Sequence, residues 1–374
     1  MPTYTAPPYV APWFLRNGFA MTLYFAWVAN RTWRSQTVDP EPTYEEQVFT
    51  GASDVPIYGI LAKPEAACKG TIIGTYGITG NLDNQWFLKI LGRKAIARHY
   101  AVVLFDWRAH GKTATLSPTL TSDGLYEGED FVRIAAQAKA MGYPAPFWVV
   151  GYSLGGQLAL WGIKSAQTLD DAVDLEEDDI AGGAVVCPSL DSNRSLQYLM
   201  AHPVGKYVEK AIAAELKRLA QQLRGYHPDD IDPAAIARAN SIWGFDHELV
   251  IPRLGFESVE DYYNASSALP ILPSLQKKTL ILYAQDDPLF DPTIIPELQK
   301  LCAENPVIDL VLTHHGGHVG YLSSDQGQQQ VGDRDPWWAW NRVLDWIDQS
   351  ELTEIGLINP ISVNSDWSIQ SRTR

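Results

Sequence analysis

The stretch Phe147-Trp-Val-Val-Gly-Tyr-Ser-Leu-Gly-Gly156 decides how this chain is read. Its apolar, strand-prone start runs without a break into Gly151-Tyr-Ser-Leu-Gly155, and residues that favour a helix follow. Gly-x-Ser-x-Gly between a strand and a helix is the pattern of a nucleophile elbow, a turn so tight that its serine is held in strained backbone geometry. Gly151 and Gly155 stand where side chains would collide across such a turn. The flanking patterns, more than the five-residue motif, single out Ser153.

Working outward, residues 43–63 alternate in strand fashion around Gly51-Ala-Ser-Asp54 and predict an antiparallel hairpin at a sheet edge. Further strands are predicted over residues 71–76, 100–105, 147–150, 181–187, 279–283 and 307–312. Helices are predicted over 83–98, 126–141, 154–168, 293–302 and 337–349. Such alternation implies an α/β fold with a mostly parallel, doubly wound sheet, whose ligands sit at the carboxyl ends of the strands. Over residues 190–270 the pattern turns helical, most clearly at 208–223, which predicts a cap inserted over those strand ends. The chain thus divides into an N-terminal apolar arm packed on the core (1–42), a core (43–189 and 271–350), the cap (190–270) and a C-terminal tail (351–374). Residues 326–335 and the tail after Ile355 read as loosely ordered surface.

With 46% hydrophobic and 20% charged residues, the 374-residue chain has ample material for a buried core. Its net charge of −15 argues against a nucleic-acid surface and against simple electrostatic docking on an anionic bilayer. Seven carboxylates in residues 170–179 read as a solvated loop rather than a cation site. Cys68, Cys187 and Cys302 are odd in number, far apart and without metal-ligand spacing, and read as reduced core residues of a cytoplasmic protein. Residues 18–29 are almost continuously apolar and aromatic, yet fall short of the about 20 residues that a bilayer span requires. They read as a helix buried on the domain, while Trp13, Tyr24 and Trp27 leave open a peripheral contact with a membrane surface. No secretory signal is evident.

A serine hydroxyl is a weak nucleophile at neutral pH and needs a histidine base, itself oriented by an acid. The strand ending in Ala284-Gln-Asp-Asp-Pro288 offers Asp287, and the one followed by His314-His-Gly-Gly-His-Val-Gly320 offers His318. Asp286 and Asp191 are rival acids; Asp287 is preferred because it directly precedes a proline. His318 is preferred over His314 and His315 because Gly316 and Gly317 let the backbone bend toward Ser153. His99, His110, His202, His227 and His247 read as ordinary polar residues. Two backbone N–H groups should receive the oxyanion formed on attack, those of Leu154 and of Ile78 in Thr75-Tyr-Gly-Ile-Thr-Gly80. The aromatic residues Trp243, Tyr262 and Tyr263 in the cap suit either an apolar acyl pocket or plain core.

With these residues assembled, the chain resembles the branch of the α/β-hydrolase superfamily that holds the YheT-type hydrolases and the eukaryotic ABHD lipases. The likeness runs from about Pro7 to Ile347, through Pro12-Trp-Phe-Leu-Arg-Asn-Gly18 with Thr22, Phe105-Asp-Trp-Arg-Ala-His-Gly111, Phe245-Asp246 and Gly255-Phe-Glu-Ser-Val-Glu-Asp-Tyr-Tyr263 to Gly316-Gly-His-Val-Gly-Tyr321. It implies the α/β-hydrolase fold, Ser153, Asp287 and His318 as a catalytic triad, and hydrolysis of carboxylic esters such as acylglycerols. It implies an apolar small-molecule ester as partner, with neither cofactor nor metal; no obligate protein partner is evident. Tyr76, Phe19 and Ala109 depart from the family pattern, and Tyr76 bears on the placement of the oxyanion loop. A thioesterase, amidase or peptidase using the same triad, or a non-catalytic binding member of the fold, are the alternatives.

Overall fold

The computed structural model describes residues 4–168 and 173–354. Eight strands form one sheet: β1 (Glu45–Thr50), β2 (Pro56–Ala62), β3 (Gly70–Thr75), β4 (Tyr100–Phe105), β5 (Phe147–Tyr152), β6 (Ile180–Val186), β7 (Lys278–Ala284) and β8 (Ile308–Thr313), in the order β1-β2-β4-β3-β5-β6-β7-β8. β1 and β2 form the antiparallel hairpin, β2 runs antiparallel to β4, and every later pairing is parallel. β3, β4 and β5 are buried along their whole length, as parallel strands covered on both faces must be.

The chain leaves β3 toward β4 on one side and then crosses back to β5 on the other. Right-handed crossovers turn that reversal into opposite faces, with the helix Trp86–Ala97 on one and the helices Glu127–Ala140 and Leu154–Ser165 on the other. Where the direction reverses, the loops after β3 and β5 part and leave a crevice at their carboxyl ends. β7 and β8 end at the same rim, with Ala284 paired to Thr313.

Between β6 and β7 the chain is helical: Ser192–Ala201, Pro203–Tyr226, Pro233–Arg238, Ile242–Phe245 and Val259–Ser266 are the main helices of the cap. Asp191, Asp232, Ser241 and Ser258 cap four of them through side-chain oxygens on backbone N–H groups. Leu216, Leu223, Ile236, Phe245, Val250 and Tyr262 give the cap its own apolar cluster, which closes on Ala109, Ala114 and Leu120 after β4. Tyr262 lies in that cluster, whereas Trp243 is on the outside, bonded through its ring N–H to Glu260.

Two readings change. Residues 326–335 are built into the fold: Ser324 caps the helix Asp325–Val331, and beyond it Asp335 is buried against Lys94 at 2.6 Å. The polar composition that suggested loose surface serves a cap and a buried ion pair. The helix predicted from residue 83 begins at Trp86, because Asn81 Oδ1 accepts the N–H groups of Asp83 and Asn84 and holds a turn there. Of the acidic run, Asp179 pairs with Lys139 at 2.7 Å. Residues 170–172 of that run and the tail beyond Glu354 lie outside the described residues. Among the described residues no helix is long and apolar enough to cross a membrane.

Candidate active site

Ser153 stands at the join of β5 and the helix Leu154–Ser165 with φ 56° and ψ −128°, a conformation that L residues rarely hold. The turn is possible because a Cβ on Gly151 would lie 2.0 Å from the Gly155 carbonyl oxygen, and one on Gly155 2.3 Å from that of Tyr76. The strain lifts the hydroxyl clear of the backbone. His318 Nε2 lies 2.8 Å from Ser153 Oγ, and His318 Nδ1 lies 2.8 Å from Asp287 Oδ2. With Nδ1 facing a carboxylate, the ring carries its hydrogen there, and Nε2 is left to accept from the serine.

Asp287 and His318 are largely withdrawn from water, with side chains 2% and 12% exposed. The second Asp287 oxygen accepts the Leu289 N–H at 2.9 Å, and the Phe290 and His318 rings pack edge to face, 5.2 Å between centroids. Asp286 is turned elsewhere: its Oδ1 accepts the Gly317 N–H at 2.9 Å, and its Oδ2 faces His315. Burial raises the Asp286 carboxyl above its usual value. It thus shapes the histidine loop without touching His318. Asp191 caps a cap-domain helix, and His314 pairs with Gln285 on the surface.

Leu154 is the first residue of its helix, so its N–H has no carbonyl one turn back and points out of the helix start. The loop after β3 lies against the serine, since a Cβ on Gly77 would come within 3.1 Å of Ser153 Oγ. Ile78, next along, lines the same cavity as Ser153 and Leu154. Tyr76 is directed into the core, where its hydroxyl donates to Asp106 at 2.5 Å; Asp106 also accepts the N–H groups of Leu82 and Lys112. The residue that departs from the family pattern therefore anchors the loop after β3 from behind, through Asp106.

Two supporting residues escaped the sequence reading. His110, taken there as an ordinary polar residue, is fully buried on Trp107, with ring centroids 3.6 Å apart. Its Nδ1 hydrogen meets the Arg108 carbonyl oxygen at 2.8 Å, and its Nε2 accepts the Thr79 N–H at 3.2 Å, beside Ile78. Burial pushes its pKa down to about 4, which keeps that acceptor free of a proton. Thr22, in the N-terminal arm, accepts the backbone N–H of His318 on its hydroxyl oxygen at 2.8 Å. The arm sits so close that a Cβ on Gly18 would lie 1.7 Å from the Asp286 carbonyl oxygen.

The cavity at Ser153 holds about 960 Å³ of empty space, its open mouth included. Leu196, Leu199, Ile212, Leu216, Phe245 and Phe290 make its wall mainly apolar, and cap and core supply about equal shares of it. Asp123 and Asp246 also line it, where core and cap meet. Burial, then the charge of Glu127, pushes the Asp123 carboxyl up to about 6. Asp246, raised by burial and then by Asp123, accepts a hydrogen bond from the Tyr263 hydroxyl. Among the described residues no cluster of His, Cys, Asp and Glu could hold a metal ion.

A family profile described as the alpha/beta hydrolase fold matches residues 70–325. The chain is 56% identical over 353 residues to "Putative esterase slr0264" of Synechocystis, covering 92% of this chain and 96% of that one. It is 30% identical to "Putative esterase YheT" of Escherichia coli over 54% of this chain and 55% of that one. With the mouse protein named phospholipase ABHD3 the identity is 25%, over 69% and 60% of the two chains. Among solved structures, the esterase Pf2001 of Pyrococcus furiosus superposes with a TM-score of 0.52 at 16% identity, covering 92% of this chain and 99% of that one, a likeness of fold.

Proposed function

The chain belongs to the α/β hydrolase fold family, and from that premise we propose that it is a serine hydrolase cleaving carboxylic esters through an acyl-enzyme on Ser153. The observation that carries the reading is the pair of 2.8 Å hydrogen bonds linking Ser153 through His318 to Asp287. Oγ of Ser153 attacks the ester carbonyl carbon while His318 Nε2 takes the hydroxyl proton. The carbonyl oxygen, now negative, is received by the N–H groups of Leu154 and Ile78. As the C–O bond to the alcohol breaks, His318 returns that proton to the departing oxygen. Water then attacks the acyl carbon and gives a proton to His318. The carboxylic acid leaves, and Ser153 regains its hydrogen. Asp287 holds the ring in the tautomer this cycle needs and offsets its transient positive charge.

The apolar wall favours an acyl chain over a polar acid, which makes acylglycerols and other lipid esters the substrate class. The esterase and phospholipase names of the relatives support the same direction. The test is a series of nitrophenyl esters of increasing chain length, with thioesters and anilides of the same acids. Esters should be turned over fastest, kcat/KM should rise with chain length until the cavity is filled, and Ser153→Ala should lower kcat by about 10⁴- to 10⁶-fold. A variant keeping about a tenth of the activity, or a preference for anilides, would contradict the proposal.

A further inference from the structure

As far as Val28 the N-terminal arm carries apolar residues on its exposed side as well as its buried one, and from Asn30 its exposed residues turn polar. From Gly18 to Gln36 it is one helical run, opened to a wider π turn over Phe25–Ala29 and preceded by a single 3-10 turn at Trp13–Leu15. Leu15, Gly18, Met21, Phe25, Ala29 and Trp33 face the core and are buried. The outer side should then be polar, yet Trp13 is 81%, Trp27 64% and Phe14 50% exposed, with Phe19 and Val28 beside them in sequence register. A helix apolar all round is ordinarily covered on every side.

The charge on the same segment says what covers it. Residues 1–36 contain Arg16, Arg31 and Arg34 and not one Asp or Glu, in a chain whose net charge is −15. All three arginines are exposed, and none is in an ion pair among the described residues. Tryptophan and phenylalanine at the surface, flanked by arginines without a carboxylate partner among the described residues, match the boundary between headgroups and acyl chains of a bilayer with negative headgroups. A second copy of the chain fits less well, because two such arms face to face would set arginine against arginine. We propose that this outer face docks the protein on an anionic lipid surface. The docking is peripheral, and it does not depend on the esterase reading: it would stand for a chain that cleaved nothing.

The experiment is flotation of the full chain with vesicles of phosphatidylcholine alone or mixed equally with phosphatidylglycerol, in buffer of about 0.1 M salt. The protein should float with the mixed vesicles at least about tenfold more than with the neutral ones, and high salt should release it. Trp13→Ala/Trp27→Ala and Arg16→Gln/Arg31→Gln should each lose that binding while keeping the wild-type circular dichroism. Equal partition on both vesicles, no partition, or variants that bind like the wild type would overturn the proposal. So would self-association of the free protein that the Trp13→Ala/Trp27→Ala variant abolishes, since a second copy would then be the occupant. Should a variant misfold, the salt and headgroup dependence of the wild type still decides.

Discussion

Ser153 can be strained because everything around it is fixed: Gly151 and Gly155 leave no room to relax, and the helix behind it starts at Leu154. His110 plays a similar part for the loop after β3 and gives a test through pH. In the unfolded chain its imidazole titrates near the ordinary 6.5, and in the fold near 4. Acid therefore protonates unfolded chains first and draws the equilibrium toward them; the stabilisation is complete above about 6.5 and lost as pH falls through about 4. His110→Asn should be less stable than wild type at neutral pH, and the gap should shrink by up to about 3 kcal/mol on acidification. Urea unfolding of both proteins across that range checks this, and parallel curves would contradict it. That Ser153 and His318 would come together was legible because the chemistry looked for ties them to strand ends in a fixed order. The choice between Asp286 and Asp287 turned on loop geometry that two adjacent carboxylates do not encode. His110 was overlooked because its role lies in a 3.2 Å bond to a loop a different strand carries; its place in Phe105-Asp-Trp-Arg-Ala-His-Gly111 was the available signal.

Among the elements, the strands were readable almost to the residue, since buried parallel strands are apolar runs that stop where loops begin. Helix starts were less so: Asn81 outcompetes the helix for its own neighbours. The arm read as a packed helix, but nothing in its sequence showed that its inner side braces His318. Thr22→Val removes the acceptor for the His318 N–H while keeping the shape of the side chain. kcat should fall by about tenfold to a hundredfold with KM little changed, because the ring is displaced and substrate contacts are not. Thr22→Ser should restore the rate. A loss confined to thermal stability, or no rescue by serine, would make the arm mere packing.

For the whole molecule, the decisive join is between core and cap, where Asp123 and Asp246 meet in the wall of the cavity. Sequence placed them in separate units and gave no reason to unite them. Asp123 titrates near 6 in the fold against an ordinary 3.8, so its proton favours the folded state. That contribution is complete below about 3.8 and vanishes as pH rises through about 6. Asp123→Asn should therefore gain Tm relative to wild type as pH is raised from mildly acidic to mildly alkaline; a constant difference would contradict it. The cap also shapes the space beside Ser153, since six of its leucines and isoleucines line the cavity there. The most direct measurement is reaction of the native protein with a fluorophosphonate probe, followed by peptide mapping. The account predicts one probe per chain, attached to Ser153, with labelling strongly slowed by His318→Asn. A folded protein left unlabelled, or labelled at another residue, would contradict it.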